Sequence, residues 1–381
     1  MTSPKVKNIR LLHIIDNLDR GGTQTWFMSL VKGLAELGFE QRIYCLNEIV
    51  NIDIVENLKK SGSQVTILGR PQLYGLIGLI RLYRAIKSWQ PDIAQTILPY
   101  GNLLGRSVAR LAGAPIVVSS IRTRNAHKSK LHLFLDRLTA DWADVYIAVS
   151  RQIIPFAVVN EGVSPDKVIY IVNGLEIDRR DRSQARATLR AQLGISAKTK
   201  VLGMVARLSS QKAHDDLLRA YAIVVAEYPD TALLLVGDGP LRKKLERQAS
   251  RLKLNRRVIF LGDRADIKDL LAAMDLFVHP SLFEGMPNAV MEAMAAGLPV
   301  IASAVDGVQD LVVDGELGWL VGPGNVTQLA ERIIFALNNQ SLWPTMGRAA
   351  AHRIAAEFSA QKMIAAYSSV YRDLVARKTV G

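Results

Sequence analysis

The sequence predicts an α/β fold built from two doubly wound parallel sheets. Three observations lead there. Short apolar strand runs alternate with helical patterns along nearly the whole chain, which places helices on both faces of parallel sheets. At 381 residues the chain is long enough for two separately buried cores. The rhythm breaks once, at the charged segment NGLEIDRRDRSQARATLRAQLG, residues 173–194. Its start reads as a linker and its later part as a surface helix opening a second domain.

In the first half, IRLLHIID is a buried-strand run, NLDRGGT a glycine loop, and TWFMSLVKGLAELG a helix with Trp26, Phe27, Leu30, Val31 and Leu34 on one face. Further strands are expected at QRIYCLN, QVTILG, IAQTIL, IVVSS and VYIAVS, and helices at YGLIGLIRLYRAIKSW and GNLLGRSVARLAG. In the second half VLGMVA, TALLLVG, RVIFLG, LFVHP and PVIAS are strand runs. The helical segments DDLLRAYAIVVAEYP, GPLRKKLERQASRL and IKDLLAAM lie between them, and TQLAERIIFALNN and SAQKMIAAYSSVYRDLVARK close the chain. Two such domains facing each other would put the C-terminal ends of their strands, and so their binding loops, on either side of one cleft.

Composition narrows the function classes. Hydrophobic residues make up 49% of the chain, which excludes a mainly disordered protein. The longest apolar runs fall short of a membrane span, and LLHII is too short for a secretory signal. The single cysteine, Cys45, excludes an internal disulfide framework and a cysteine zinc site, so a cytoplasmic location is expected. Net charge is +13, of which residues 1–175 contribute +8 (21 Lys and Arg against 13 Asp and Glu). Such a surface suits phosphate-bearing small ligands or an anionic membrane. No basic run interleaved with aromatics supports nucleic-acid binding.

The densest chemistry lies in SLFEGMPNAVMEAMAAG, residues 281–297. Glu284 precedes a Gly-Met-Pro-Asn turn and Glu292 follows eight positions later inside a helix. Pro287 suits the first helical turn, Asn288 can help satisfy the exposed amides, and Gly297 ends the helix. Two carboxylates on that length scale can hold the two ends of an extended ligand, its phosphates at the helix N-terminus. For an isolated helix, two solvated surface glutamates is the commoner reading.

Other segments are open in the same way. Gly21-Gly22-Thr23 between strand and helix suits close approach to an anion, or is a plain tight turn. Arg207 and Lys212 in VARLSSQK can clamp a diphosphate, or are ordinary surface cations. VGDGP, FLGDRADI and VNGLEID are turns at strand ends that suit base recognition or structure alone. Arg122, Arg124, His127, Lys128 and Lys130 make SSIRTRNAHKSK the most basic loop of the first half, an anion-facing wall or a solvated loop. The YGLIGLIRLYRAIKSW helix is either an amphipathic core helix or a membrane-docking one. No Asp-X-Asp occurs and the six histidines show no ligand spacing, so no metal is expected.

Taken in order, these segments resemble the retaining glycosyltransferases of the GT-B fold, family 4. The resemblance runs from VARLSSQK through FEGMPNAVMEAMAAGLPVIAS and VDGVQDLVVDGELGWLV to EFSAQKMIAAYSSVY, and its most specific part is Glu284-x7-Glu292. It implies two Rossmann-like domains: residues 1–175 on the acceptor side and 176–360 binding the donor, with 361–381 a helix packing back on the first. It implies that Arg207 and Lys212 grip the donor diphosphate, that Glu284 lies beside the transferred sugar, and that Glu292 holds the ribose hydroxyls. Backbone amides along the stretch from Gly285 through Met286 and Pro287 to Asn288 would meet sugar and phosphates, Arg264 would lie near the base, and Gly22 near the donor phosphates or the acceptor. Asn173 sits at the expected hinge. One position departs from the family: where many relatives carry a histidine after the strand IVVSSIR, this chain has Arg122, which with Arg124 is expected to face the sugar or acceptor. Arginine cannot act as a general base near neutral pH.

The expected activity is sugar transfer from a nucleoside-diphosphate sugar to a glycan or lipid-linked glycan, in polysaccharide, lipopolysaccharide or glycolipid synthesis. The donor is a substrate, no cofactor is expected, and peripheral association with the inner face of a membrane would fit the acceptor. A nucleotide-sugar epimerase and a non-catalytic sugar-nucleotide-binding protein are the rival readings.

Overall fold

The structure is a computed structural model that describes residues 8–69, 76–124, 128–178 and 180–380. His127 of the basic loop, Tyr74 and Gly75 at the start of the expected YGLIGLIRLYRAIKSW helix, and Arg179 in the charged segment lie outside the described residues. The chain divides into two compact units, one of Met1–Glu176 with Ser359–Gly381, the other of Ile177–Phe358.

The first unit carries strands β1 (Arg10–Ile15), β2 (Glu40–Cys45), β3 (Gln64–Ile67), β4 (Ile93–Ile97), β5 (Val117–Ile121), β6 (Val145–Ala148) and β7 (Val168–Tyr170). They form one parallel sheet in the order β3-β2-β1-β4-β5-β6-β7, with His13 of β1 in register with Ile43 on one side and Gln95 on the other. The order reverses between β1 and β4, which is where a doubly wound sheet opens its ligand crevice. The helices are α1 (Gly22–Glu36), α2 (Ile52–Lys60), α3 (Leu76–Trp89), α4 (Arg106–Leu111), α5 (Lys130–Thr139) and α6 (Ile154–Glu161). Trp26, Phe27, Leu30, Val31 and Leu34 of α1 all point into the core, where α2 joins them. Leu82, Ile86 and Trp89 of α3 pack with Val108 and Ala109 of α4 in a separate cluster.

The second unit repeats the plan. Its strands β8 (Lys200–Val205), β9 (Thr231–Val236), β10 (Val258–Gly262), β11 (Leu276–His279), β12 (Val300–Ser303) and β13 (Trp319–Val321) run parallel in the order β10-β9-β8-β11-β12-β13. Here the order reverses between β8 and β11. The helices are α7 (Ser183–Gln192), α8 (His214–Glu227), α9 (Arg242–Arg251), α10 (Ile267–Ala273), α11 (Asn288–Ala295), α12 (Asp306–Leu311), α13 (Val326–Asn338) and α14 (Trp343–Glu357). The later part of the charged segment is α7, as the charge pattern suggested. It is bound down by Arg186 and Arg190, whose guanidinium groups each lie 2.6 Å from the Asp275 carboxylate.

The last helix, α15 (Ala360–Val380), returns to the first unit. Met363, Tyr367 and Tyr371 enter that unit's core, with the Tyr367 ring 5.8 Å from Trp26 and the Tyr371 ring 6.1 Å from Phe39. Just before it, Ser359 pairs with Leu175, and the Ala360 amide donates to the Leu175 carbonyl at 3.0 Å. The two edge strands β7 and β13 carried no sequence signal, because three residues are too few to display a period of two.

Candidate functional site

The second unit's switch point brings the chemistry together. All four residues of β11 are buried, so the strand runs through the sheet centre and delivers His279 to its C-terminal end. The chain then forms the loop that carries Glu284. Two hydrogen bonds fasten this loop to the turn after β8: the Leu282 amide donates to the Gln211 carbonyl, and Gln211 Nε2 to the Phe283 carbonyl, both at 2.8 Å. Residues 72 positions apart in sequence are therefore held side by side.

Glu284 is 5% exposed. Its Oε1 receives Lys212 Nζ at 2.5 Å and His279 Nε2 at 2.7 Å, while Oε2 takes no hydrogen bond from any described residue. Burial works to raise the pKa of this carboxyl, but Lys212 and His279 outweigh it and hold the value down to about 2. Glu284 is thus an ionised carboxylate with one oxygen tied and one open. Burial pushes the pKa of His279 down, against the pull of Glu284, so the ring is neutral near pH 7. Its Nδ1 has no partner among the described residues, and the network assigns the proton to Nε2, facing the carboxylate. Ser281 Oγ lies 3.0 Å from the same nitrogen, and Phe277 stacks on the ring at 6.1 Å. His214, buried at the start of α8, has no partner for either ring nitrogen among the described residues; burial, with His279 and Lys212 adding to it, lowers its pKa to about 3.

The sequence reading missed His279, His214, Ser281 and Gln211. A histidine that orients a carboxylate leaves no spacing signature of the kind a metal ligand does. Among the described residues no group of three or more His, Cys, Asp or Glu is placed to hold a metal ion.

Helix α11 follows Glu284. Pro287 is its N-cap, with no side-chain cap hydrogen bond, and not a residue of its first turn; Asn288 is the first helical residue. No N-cap side chain takes up the free amides of this helix N-terminus, an end that favours an anion. At the other end the Leu298 amide donates to the Ala293 carbonyl and the Gly297 amide to that of Met294, with Gly297 at φ +75°, a Schellman motif. Gly285, Met286 and Pro287 are buried. A Cβ on Gly307 would fall 1.8 Å from the Gly285 carbonyl oxygen, so only glycine lets α12 support this loop. Glu292, half-buried on α11, has its pKa raised to about 7 by burial, with Lys268 drawing it the other way.

The remaining expectations for this unit divide. Arg207 is exposed just after β8, beside the turn that carries Lys212. VGDGP is a support for that turn: the Leu208 amide donates to the Asp238 carbonyl, and Cβ atoms on Gly237 and Gly239 would lie 2.2 and 2.6 Å from the carbonyl oxygens of Ala206 and Leu208. Arg264 is engaged within its own loop, its Nε and Nη2 at 2.7 and 2.5 Å from the two oxygens of Asp266.

In the first unit Gly22 is exposed at the start of α1, which has no side-chain cap and no acidic residue in its first turn. Arg122 requires a correction. It does not form a wall toward solvent: it is buried, with its guanidinium 3.8 Å from the Trp26 ring centroid and donating to Asn173 Oδ1 at 2.5 Å. Burial lowers its pKa to about 10, with Tyr367 opposing, so it remains a cation. Asn173 is buried as the acceptor of this contact, which leaves the pair joining β5, α1 and α15 inside the first unit. Arg124 is the exposed member, Nη2 reaching the Gln152 carbonyl at 3.4 Å. Arg122→Ala is expected to destabilise the protein by about 2–4 kcal/mol through lost packing and stacking. Thermal denaturation checks this.

Comparison with known proteins gives the family and the fold. Residues 185–353 match the model of the glycosyl transferases group 1, and residues 20–179 that of glycosyltransferase family 4. EpsF of Bacillus subtilis (strain 168), named as a glycosyltransferase, is 30% identical over 306 residues, 77% of this chain and 79% of that protein. The chain belongs to the family 4, group 1 glycosyltransferases. The UDP-Gal:alpha-D-GlcNAc-diphosphoundecaprenol alpha-1,3-galactosyltransferase of Escherichia coli is 29% identical over 310 residues, 79% of this chain and 80% of that one. Among solved structures, Anabaena Alr3699/HepE in complex with UDP and glucose superposes with a TM-score of 0.85 at 24% identity, over 96% of this chain and all of that one. The sucrose-phosphate synthase of Thermosynechococcus elongatus superposes at 0.79 with 21% identity, over 97% and 100%. The fold of this glycosyltransferase is GT-B.

Proposed function

We propose that this glycosyltransferase moves a sugar from a nucleoside-diphosphate sugar to a hydroxyl of a glycan or lipid-linked glycan, with retention of anomeric configuration and without a metal ion. The observation that carries the reading is Glu284: buried, ionised, with Oε1 tied to Lys212 and His279 and Oε2 open. In this reading Oε2 accepts a hydroxyl of the transferred sugar, and the diphosphate lies at the N-terminus of α11. Arg207 and Lys212 stabilise the charge that grows on the leaving phosphate. A departing phosphate oxygen takes the acceptor proton, so no separate base is required. The complexes of Alr3699/HepE with UDP and UDP-glucose support a uridine diphosphate donor. The E. coli relative and the capsular polysaccharide biosynthesis glycosyltransferase CapM of Staphylococcus aureus support an acceptor in surface-glycan synthesis.

Thermal-shift screening of nucleoside-diphosphate sugars, followed by nucleotide-release assays with acceptors, tests the proposal through the stabilisation a tight donor confers. A donor converted into a second nucleotide sugar in the absence of acceptor would overturn it.

Glu292 adds a pH prediction. Only its carboxylate form can accept both ribose hydroxyls, and its pKa is raised to about 7. The KM for the donor is therefore expected to rise as pH falls below about 7 and to level off above it. Glu292→Gln should raise KM about tenfold or more, the loss of charged hydrogen bonds to hydroxyls, and abolish the pH dependence. A donor KM profile from pH 5 to 8.5 in both proteins checks this (about two units either side of neutrality).

A further inference from the structure

Helix α5 is built inside out. Its buried residues are the polar Asp136 and Thr139. Asp136 is held from within by Arg106 at 3.1 Å and Lys128 at 2.6 Å, and Lys128 also reaches Glu161 at 2.8 Å. Its outward face carries Leu131, Phe134 and Leu138, which are 67, 61 and 66% exposed. At i, i+3 and i+7 they form one continuous stripe. A helix surrounded by water shows the opposite arrangement, and an exposed apolar row of this kind marks an interaction surface.

The stripe belongs to a wider layer. Arg106 joins α4 to α5, and Arg137 of α5 donates to the Asn160 carbonyl of α6 at 3.0 Å. α3 packs with α4 in one cluster. Ile77 and Ile80 on α3 and Val159 on α6 are exposed as well. The charges exposed on these four helices are of one sign: Arg81, Arg84 and Lys87 on α3, Lys130 and Arg137 on α5. Their acids, Asp136 and Glu161, are buried in the ion-pair network. No helix among the described residues is long and apolar enough to cross a membrane.

We propose that this face seats the protein on an anionic lipid surface, with Leu131, Phe134 and Leu138 entering the headgroup boundary and the flanking lysines and arginines meeting lipid phosphates. Charge selects this occupant. Apolar side chains flanked mostly by cations, with Asp141 just beyond the stripe paired to Lys167 at 3.1 Å, fit a surface that is apolar beneath and anionic above. A second copy of the same face would oppose cation to cation. The inference stands apart from the transfer reaction, since none of these residues lies in the Glu284 site.

Co-sedimentation of the full chain with phosphatidylcholine vesicles, with and without phosphatidylglycerol, is the test. The protein should pellet with the anionic vesicles, less so as salt is raised. The triple variant Leu131→Ser/Phe134→Ser/Leu138→Ser should bind at least about tenfold more weakly, with an unchanged melting temperature and unchanged donor consumption with a water-soluble acceptor. The proposal is overturned if the wild type stays in the supernatant, binds neutral vesicles equally well, or keeps its binding in the triple variant. It is also overturned if the variant instead abolishes a dimer seen by sedimentation velocity.

Discussion

Glu284→Gln is expected to lower kcat by roughly a thousandfold, about 4 kcal/mol of transition-state stabilisation, while the protein still folds and binds its donor. Glutamine matches the shape of glutamate, and its amide oxygen can still accept from His279 Nε2. What it removes is the negative charge that the proposed mechanism sets beside the sugar, where it would act more strongly as positive charge develops at the reacting carbon. That is why the loss should fall on kcat and not on donor KM. Steady-state kinetics with the stabilising donor, together with a melting curve, decide it. A variant with near-normal turnover would remove Glu284 from the mechanism.

Lys212→Met should have the largest effect on the protein itself. Lys212 Nζ and Glu284 Oε1 form a largely buried ion pair, and removing the cation strands a carboxylate inside the second unit. Breaking such a pair costs about 3–5 kcal/mol. The sign with pH follows from the pKa. In the wild type Glu284 sits at about 2, below its ordinary 4.5, so the pair adds stability above pH 4.5 and loses it as pH falls toward 2. Without Lys212 the burial that raises this pKa is opposed by His279 alone, and the carboxyl favours its proton. The stability gap between wild type and variant should therefore be wide at pH 7 and narrow as the solution is acidified. Lys212→Met/Glu284→Gln should regain much of the stability at pH 7 and remain inactive. Urea unfolding at pH 7 and pH 4 measures both (about three units apart, so that an ordinary carboxyl is half protonated at the lower). Equal stability of the single variant and the wild type at pH 7 would show that the pair carries no weight.

Much of the fold could be read before the structure. The stripe Trp26, Phe27, Leu30, Val31 and Leu34 repeats every three to four residues, and all five side chains are buried. The eleven strand runs expected from the sequence are β1–β6 and β8–β12. Helix α5 shows where such reading stops. KLHLFLDRLT pairs an apolar face with a polar one, and either can be the inner one; the structure turns Asp136 inward because Arg106 and Lys128 are there to receive it. Arg122 was misplaced for a similar reason. A basic loop is ordinarily solvated, but Trp26 and Asn173, from distant parts of the chain, build a pocket for its guanidinium.

The candidate site divides along the same line. By itself the sequence determined the Glu284-x7-Glu292 spacing, the glycine that ends α11 and the alternation that makes two doubly wound sheets. These are local patterns, set by side-chain size, backbone preference and periodicity over a few residues. Only the tertiary structure decided that Lys212 and His279 would meet on one oxygen of Glu284 and leave the other open. It also decided that Lys212 and His279 would hold Glu284 ionised against its burial, while burial raises the pKa of Glu292 to about 7. Those outcomes depend on which strands lie side by side at the switch point and on how much water reaches each carboxylate. No property of either glutamate's own neighbourhood in sequence contains that information.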